Sequence, residues 1–319
     1  MNPLLPEEAV AFGIAAAKAF AALDGVDAAR RAEVDPTVRA GEVASALVAL
    51  GVDDLDPRTD PDSLAAAASL CEASGRVALP YPVASVLLAD GDGRPFAVVP
   101  DRAARVDHGD LFAEWVVAPR SGPAVLASTG GKRLGTRLGP FVADLRPGAA
   151  VTGRPSVDDT DGDVLVHLAL TAFGVLGTSD RAVELAVEHV NGRVQFGKPI
   201  AAFQAVQFQL ADAAVAVAGL RELAHFTLWR LATALDDAIP DVLALRLHAV
   251  DVARSVLRTC QQLHGAAGVC DEYDISVLTR MVQPALRLPW SAERTTALLA
   301  SAVRDHGFDG LFEHAAAPA

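Results

Sequence analysis

The chain has 319 residues, of which 51% are apolar, and its 27 basic and 40 acidic side chains give a formal net charge of −13. This length and apolar content provide enough core for two domains or for one large lobed domain. The negative charge argues against a nucleic-acid-binding role, because affinity for a phosphate backbone comes mainly from Lys and Arg.

The sequence also bears on the compartment in which the protein works. Its best apolar run, Val164 to Gly177, contains His167 and falls short of the roughly 18 residues that a membrane span needs. The first residues lack the basic and apolar regions of a secretion signal. The three cysteines have neither disulfide-like nor zinc-like spacing. We therefore expect a cytoplasmic protein without a membrane span and without a metal site.

Helical signals dominate the first 80 residues. Three helices are expected, over residues 7–23, 36–50 and 61–73. Asp60 followed by Pro61 predicts the start of the third helix, because Asp caps a helix and proline suits its first position. Gly75 is predicted to close that helix. Residues 1–80 are thus expected to form an N-terminal helical domain.

Between residues 82 and 148 short β-prone runs alternate with clusters of Gly and Pro. The runs are Phe96–Val99, Trp115–Val117, Ala124–Ala127 and Phe141–Leu145. Because they are few and short, they predict a reduced β domain over residues 81–155 that does not close into a barrel.

Strong helical periodicity returns after an acidic stretch at residues 158–163, which we interpret as a linker. The periodic stretches are Val164–His189, Phe203–Leu235, Ile239–Gly265 and Trp290–Val303. Their lengths are typical of an antiparallel four-helix bundle, expected here over residues 156–319. The predicted fold class is mainly α with a small β lobe.

Two loops between the bundle helices carry most of the functional information. In the first, Arg193-Val194-Gln195-Phe196-Gly197-Lys198-Pro199-Ile200 is followed by Phe203-Gln204. Gly and Pro in this loop also fit an ordinary inter-helix turn. The functional interpretation is that an arginine, an amide and an aromatic ring meet at helix ends, as a site for a charged planar ligand requires.

The second loop is Gln261-Gln262-Leu263-His264-Gly265-Ala266-Ala267-Gly268. Its small residues allow a ligand or another backbone to approach closely, and exposed amides at a helix end can bind pyrophosphate. A plain close-packed turn explains this loop equally well when it is considered alone.

Together, and in this order, the two loops resemble the C-terminal bundle of the acyl-CoA dehydrogenase family over roughly residues 160–305. There, Arg-x-x-Phe-Gly-x-x-Ile with a following Phe-Gln precedes Gln-x-x-Gly-Gly-x-Gly. The resemblance implies that these loops reach across a dimer interface and hold the ADP half of the FAD bound by the neighbouring subunit. By position, this role falls on Arg193, Gln195, Phe196, Gln204, Gln262, Gly265 and Ala266. Ala266 stands where the family usually has a second glycine.

The resemblance fails at the catalytic base. The family's usual carboxylate position falls on Pro289, which cannot take a proton, and the indole of the adjoining Trp290 is expected to fill space that substrate and flavin need. Some members place the base on the first bundle helix, where this chain has His167. A lone histidine in an apolar helix also fits a core or interface residue. We interpret Glu184, Glu188 and Glu293 as solvated helix charges.

The β lobe departs from the family as well, because the loops that wrap the flavin ring have no counterpart between residues 82 and 150. Trp115 is interpreted as part of a core strand.

The resemblance is therefore to the short, catalytically degenerate subunit of the heteromeric α2β2 acyl-CoA dehydrogenases of actinobacterial steroid side-chain degradation. It implies a lone chain without activity and a longer homologous partner, which carries the catalytic Glu and most contacts to acyl-CoA, with electron-transfer flavoprotein as acceptor. Two alternatives stay open: a homomeric dehydrogenase or dehydratase with a displaced base, and a structural bundle without flavin.

Overall fold

The computed structural model describes residues 4–100, 105–119, 124–133, 139–150, 157–233 and 238–306. The helices are α1 (Glu7–Ala21), α2 (Asp27–Val34), α3 (Ala44–Ala49), α4 (Pro61–Arg76), α5 (Val83–Val86), α6 (Val157–Gly192), α7 (Gln204–Thr233), α8 (Ile239–His264), α9 (Asp274–Met281), α10 (Gln283–Arg287) and α11 (Ala292–His306). The strands are β1 (Phe96–Val99), β2 (Arg105–Val106), β3 (Glu114–Pro119), β4 (Val125–Arg133), β5 (Ala143–Ala150), β6 (Val194–Gln195) and β7 (Lys198–Pro199). The mainly α fold with a small β lobe is confirmed.

Helix α4 begins where the sequence predicts. The Asp60 carboxylate accepts hydrogen bonds from the backbone N–H groups of Asp62 and Ser63, at 2.9 and 2.8 Å. These bonds satisfy donors that the first helical turn leaves open, and Pro61 occupies the first turn, where no N–H is needed.

Gly75 does not close α4, contrary to prediction, because the helix continues through it to Arg76. A Cβ at Gly75 would lie 1.9 Å from the carbonyl oxygen of Gly174 on α6. One turn further along α6, a Cβ at Gly177 would lie 2.0 Å from the carbonyl oxygen of Glu72. The glycines therefore allow the backbones of α4 and α6 to touch, which joins the N-terminal helices firmly to the bundle.

The β lobe is an open five-stranded sheet in the order β1-β3-β4-β5-β2. β1 runs parallel to β3, and the β3–β4, β4–β5 and β5–β2 pairs are antiparallel. Trp115 is fully buried in the lobe's own core with Ala97 and Val117. The interpretation of this tryptophan as part of a core strand agrees with its position.

Helix α6 is the axis of the bundle and packs against α4, α7 and α8. The acidic stretch at residues 158–163, interpreted above as a linker, instead forms the first turns of α6. Between Gly162 and Gly192 this helix is long and apolar enough to cross a membrane, but 67% of its apolar window is buried inside the protein. Its apolar side chains are thus used for packing against neighbouring helices.

Candidate functional site

The first loop folds as a β-hairpin that follows the end of α6. β6 pairs with β7, and the two residues between them, Phe196 and Gly197, have φ values of 53° and 80°. Positive φ at both central positions is the arrangement of a type I′ turn, which matches the twist of the flanking strands. The tip residue Phe196 is 91% exposed. An apolar ring in this position presents contact area to another molecule rather than to the chain's own core.

Two side chains pack against the hairpin and its exposed tip. The ring of Phe203 meets that of Phe196 edge-on, with centroids 6.2 Å apart. The Lys198 ammonium lies 4.5 Å from the centre of the Phe203 ring, which is within cation–π range. The exposed tip is therefore supported from one side.

The second loop begins where α8 ends at His264. Gly265 has φ 63° and ψ −136°, a backbone region open only to glycine. A Cβ at Gly268 would lie 2.4 Å from the carbonyl oxygen of Gln261, whose side-chain amide in turn donates to the Gly268 carbonyl at 3.1 Å. The loop follows the carboxyl end of α8, where the helix dipole is negative. Attraction for a pyrophosphate must therefore come from side chains, above all Arg193, rather than from this helix end.

A pair of stacked histidines joins the two loops. His189 lies four residues before Arg193, and His264 directly precedes Gly265. Their rings stack with centroids 4.4 Å apart, and Tyr273 meets both rings edge-on at 6.4 Å. The fold thus brings both predicted loops to one end of the bundle.

The seven residues assigned to the ADP half of FAD lie on these loops and all are exposed. The side chains of Arg193, Gln195, Gln204 and Gln262 make no hydrogen bond to any residue that the structure describes. A guanidinium and three amides that are free of internal partners fit the donors that a diphosphate and an adenosine require. The donor set is therefore compatible with the ADP half of a flavin, with the exposed Phe196 beside it.

A cavity of about 190 Å³ lies deeper in the molecule, where α4, α6, the β lobe and residues 281–289 meet. Pro289, at the family's base position, lines this cavity. Trp290 does not line it, because its side chain packs into the main core with 9% exposure. The indole therefore does not enter this cavity, and the expectation that it fills space needed by substrate and flavin stays a prediction.

His167 also lines the cavity. Its Nε2 lies 3.2 Å from the Ser85 hydroxyl oxygen, and its Nδ1 is buried without a hydrogen-bond partner among the described residues. Burial, followed by the charge of Arg246, lowers the pKa of His167 to about 4. The imidazole is therefore neutral at physiological pH and a weaker base than a solvated histidine.

Arg246 was missed by the sequence reasoning although it lines the same cavity. It is 3% exposed, and its guanidinium donates to the backbone carbonyls of Ala285, Leu288 and Trp290 at 3.3, 2.7 and 2.9 Å. Burial lowers its pKa to about 10. The available signal was an arginine on the apolar stripe of α8, between Leu245 and Ala249.

A second polar cluster on the cavity wall was also missed. Asp107 and His108 both line the cavity, and burial raises the pKa of Asp107 to about 7. His108 stacks on Phe141 at 4.8 Å. Behind it, the Arg39 guanidinium makes two hydrogen bonds to the Asp110 carboxylate, at 2.8 and 2.7 Å. Asp107, His108 and Asp110 are close in sequence, but Arg39 and Phe141, which contact them, come from distant segments, so no short-range motif marks the whole cluster.

The three glutamates interpreted as solvated charges lie outside the cavity. Glu184 accepts two hydrogen bonds from Arg76, at 2.7 and 2.8 Å, so it is an ion-paired residue at the α4–α6 contact rather than a free charge. Glu188 pairs with Arg181 at 3.1 Å, and Glu293 is exposed.

Comparisons with known proteins agree with this architecture. Residues 167–287 match the acyl-CoA dehydrogenase C-terminal domain. Acyl-CoA dehydrogenase IpdE2 of Mycolicibacterium smegmatis is 31% identical over 136 residues, which are 43% of this chain and 40% of that protein. The matches to curated relatives span between 26% and 40% of those proteins' lengths.

Solved structures match over nearly the whole chain. One chain of the ChsE4-ChsE5 complex from Mycobacterium tuberculosis superposes with a TM-score of 0.80 at 18% identity, over 96% of this chain and 99% of that one. A variant of the Tcur3481-Tcur3483 steroid ACAD gives a TM-score of 0.76 at 19% identity, over 94% and 98%. At these identities the matches establish the fold. Residues 167–287 thus match the acyl-CoA dehydrogenase C-terminal domain, and the chain as a whole shares the fold of these solved structures.

Proposed function

We propose that this chain is the short, non-catalytic subunit of a heteromeric FAD-dependent acyl-CoA dehydrogenase. In this proposal its two loops hold the ADP half of an FAD whose ring and catalytic base belong to a longer homologous partner. The reaction is α,β-desaturation of a bulky acyl-CoA, such as a steroid-derived thioester. We place the complex in the cytoplasm, as an α2β2 assembly that passes electrons to electron-transfer flavoprotein or a similar acceptor.

The observation that carries the proposal is the state of the two loops. They lie together at one end of the bundle through the His189–His264 stack. The side chains of Arg193, Gln195, Gln204 and Gln262 nevertheless make no hydrogen bond within the described parts of the chain. Phe196 is 91% exposed at the hairpin tip. Exposed aromatic rings and arginines are the residue types that anchor protein interfaces. A surface of this kind suits a partner-borne ligand better than one held by this chain alone.

The chain's own contribution to the reaction is positioning. Arg193 places a permanent positive charge for the pyrophosphate, while Gln195, Gln204 and Gln262 offer amides to the adenosine half. Bound FAD supplies the hydride acceptor, N5 of its ring. Pro289 has no proton-accepting group, so removal of the α-proton falls to a carboxylate of the partner.

The comparisons support a heteromer and a bulky substrate without deciding either. Two of the solved structures with this fold are complexes of two different chains, and one of them is described as a steroid ACAD. A chain that gives up its own base position leaves room beside a partner's active site for a large acyl group.

The test is to co-express this chain with longer acyl-CoA dehydrogenase subunits from the same organism and to measure flavin absorbance per chain. We expect one FAD per two chains in the complex, dehydrogenation of acyl-CoA by the complex, and neither flavin nor turnover in the lone chain. Full flavin loading and turnover by the lone chain would show a homomeric enzyme instead. A stable complex without flavin would leave only a structural bundle.

A matched pair of variants then tests the loops. Arg193→Ala removes a charge-assisted contact, for which we expect an FAD affinity about tenfold or more weaker in the complex. Arg304→Ala removes an exposed arginine from α11, outside the loops, and should leave FAD affinity unchanged. Equal flavin retention in both variants would remove Arg193 from the site.

A further inference from the structure

The deep cavity holds an uncompensated positive charge. Arg246 is only 3% exposed, and it forms no ion pair with a carboxylate in the described ranges of the chain. Its three hydrogen bonds go to backbone carbonyls, which satisfy N–H donors but supply no net negative charge. Its Nε has no partner among these residues. Buried charges are costly unless an opposite charge accompanies them.

A second open polar group lies on the same wall. The Nδ1 of His167 is buried without a partner in the described structure, and Arg246 is close enough for its charge to act on the imidazole. The ring stays neutral, so it can donate one hydrogen bond to an incoming oxygen without adding a charge. The cavity wall therefore carries both a cation and a neutral hydrogen-bond donor.

Most of the other lining residues are apolar, and Asp107 and His108 also contribute to the wall. Leu79, Val83, Val98, Leu170 and Val282 are among the apolar residues that contribute. A cavity of about 150 Å³ holds benzene, and this one measures about 190 Å³. It has room for a ligand slightly larger than benzene with one polar end.

From this arrangement we infer that the cavity is a binding site for a small aliphatic or aromatic carboxylate, held by the charge of Arg246 and a hydrogen bond from His167. The site belongs to this chain alone and needs neither FAD nor a partner subunit. It lies apart from the two loops of the proposed function, so each inference stands or fails on its own experiment.

The first test compares hexanoate with hexanamide by isothermal titration calorimetry on the purified full chain. The two probes have nearly the same shape and differ in charge. We expect hexanoate to bind with a Kd of about 1 mM or tighter, and hexanamide to bind at least about tenfold more weakly. Equal affinities, or no heat from either probe, would overturn the inference without recourse to any variant.

Variants then locate the carboxylate. Arg246→Met removes the charge and His167→Leu removes the donor; we expect hexanoate affinity to fall about tenfold or more in the first and several-fold in the second. Because Arg246 also holds the 285–290 segment, circular dichroism must first show that Arg246→Met is folded. If Arg246→Met is not folded, the hexanoate affinity of His167→Leu tests the assignment instead. Arg304→Met is the matched surface control, and a folded His167→Leu protein that binds hexanoate as tightly as wild type contradicts the assignment.

Discussion

The imidazole of His264, at the end of α8, stacks on that of His189, near the end of α6, and also lies 2.7 Å through Nδ1 from the Cys260 carbonyl oxygen. The carbonyl can only accept, so Nδ1 is the donor and the ring orientation is fixed. Each loop of the candidate flavin site begins beside one of these rings. The separation of the loops therefore depends on this pair.

His264→Ala is expected to lower the free energy of unfolding by about 1–3 kcal/mol, because it removes a buried ring and its hydrogen bond. In the complex it should also weaken FAD retention, although the histidine is not assigned a flavin contact. Urea unfolding and flavin absorbance measure the two effects. His248→Ala, at an exposed site on the same helix, should change stability by less than about 0.5 kcal/mol.

The stability contributed by His167 depends on pH with a defined sign. Its folded pKa, about 4, lies below the 6.5 of a free histidine, so the fold favours the neutral ring. The contribution is fully present above pH 6.5 and is lost as the pH falls toward 4. The difference in unfolding free energy between wild type and His167→Leu should therefore shift against wild type over that window. A pH-independent difference would show that the ring titrates normally.

Gly75→Ala should strongly destabilise the protein, because its new methyl group would meet the Gly174 backbone at 1.9 Å. A backbone contact cannot rotate away, so α4 and α6 must separate, and we expect a loss of more than about 3 kcal/mol. Gly219→Ala is the matched control on α7, since a Cβ there meets nothing within 4 Å. It should stabilise the lone chain by up to about 1 kcal/mol through helix propensity. Chemical denaturation of both variants gives the comparison.

The buried Arg39–Asp110 pair should be far more sensitive than a surface pair. Arg39→Met leaves the Asp110 carboxylate without this partner in a site where Arg39 was 1% exposed, and we expect a loss of about 3–5 kcal/mol. Arg31→Met breaks the pairs with Asp24 and Glu42 on the surface and should change stability by less than about 1 kcal/mol. Similar losses in the two variants would contradict the structural role assigned to Arg39.

Signals from neighbouring residues were sufficient to predict where helix α4 begins and where the two loops lie in the chain. Asp60 and Pro61 marked the start of α4 because capping depends on the next few residues only. Helix α2 was not predicted because its apolar residues are three small alanines and one valine, which give a weak periodic signal. The helix is held in place by tertiary contacts such as the pair between Arg30 and Asp274 of α9, at 2.9 Å. Such a contact leaves no trace in nearby sequence.

The errors share one physical origin, which is that distant contacts decide what a residue does. Gly75 has the same local preference as a helix-ending glycine, and only the approach of Gly174 gives it another role. The cavity could not be inferred for the same reason: Asp107, His167 and Arg246 come from three separate segments. The FAD-binding role of the loop residues stays a prediction, and their exposure to solvent is compatible with it.

The hairpin at Phe196 affects the free energy of assembly with another subunit. Its two central residues already hold positive φ in the single chain, and the pairing of β6 with β7 holds the two strands together. A loop that is rigid before association does not lose conformational freedom on binding, so more of its contact energy appears as affinity. The hairpin is therefore preorganised for binding to another subunit.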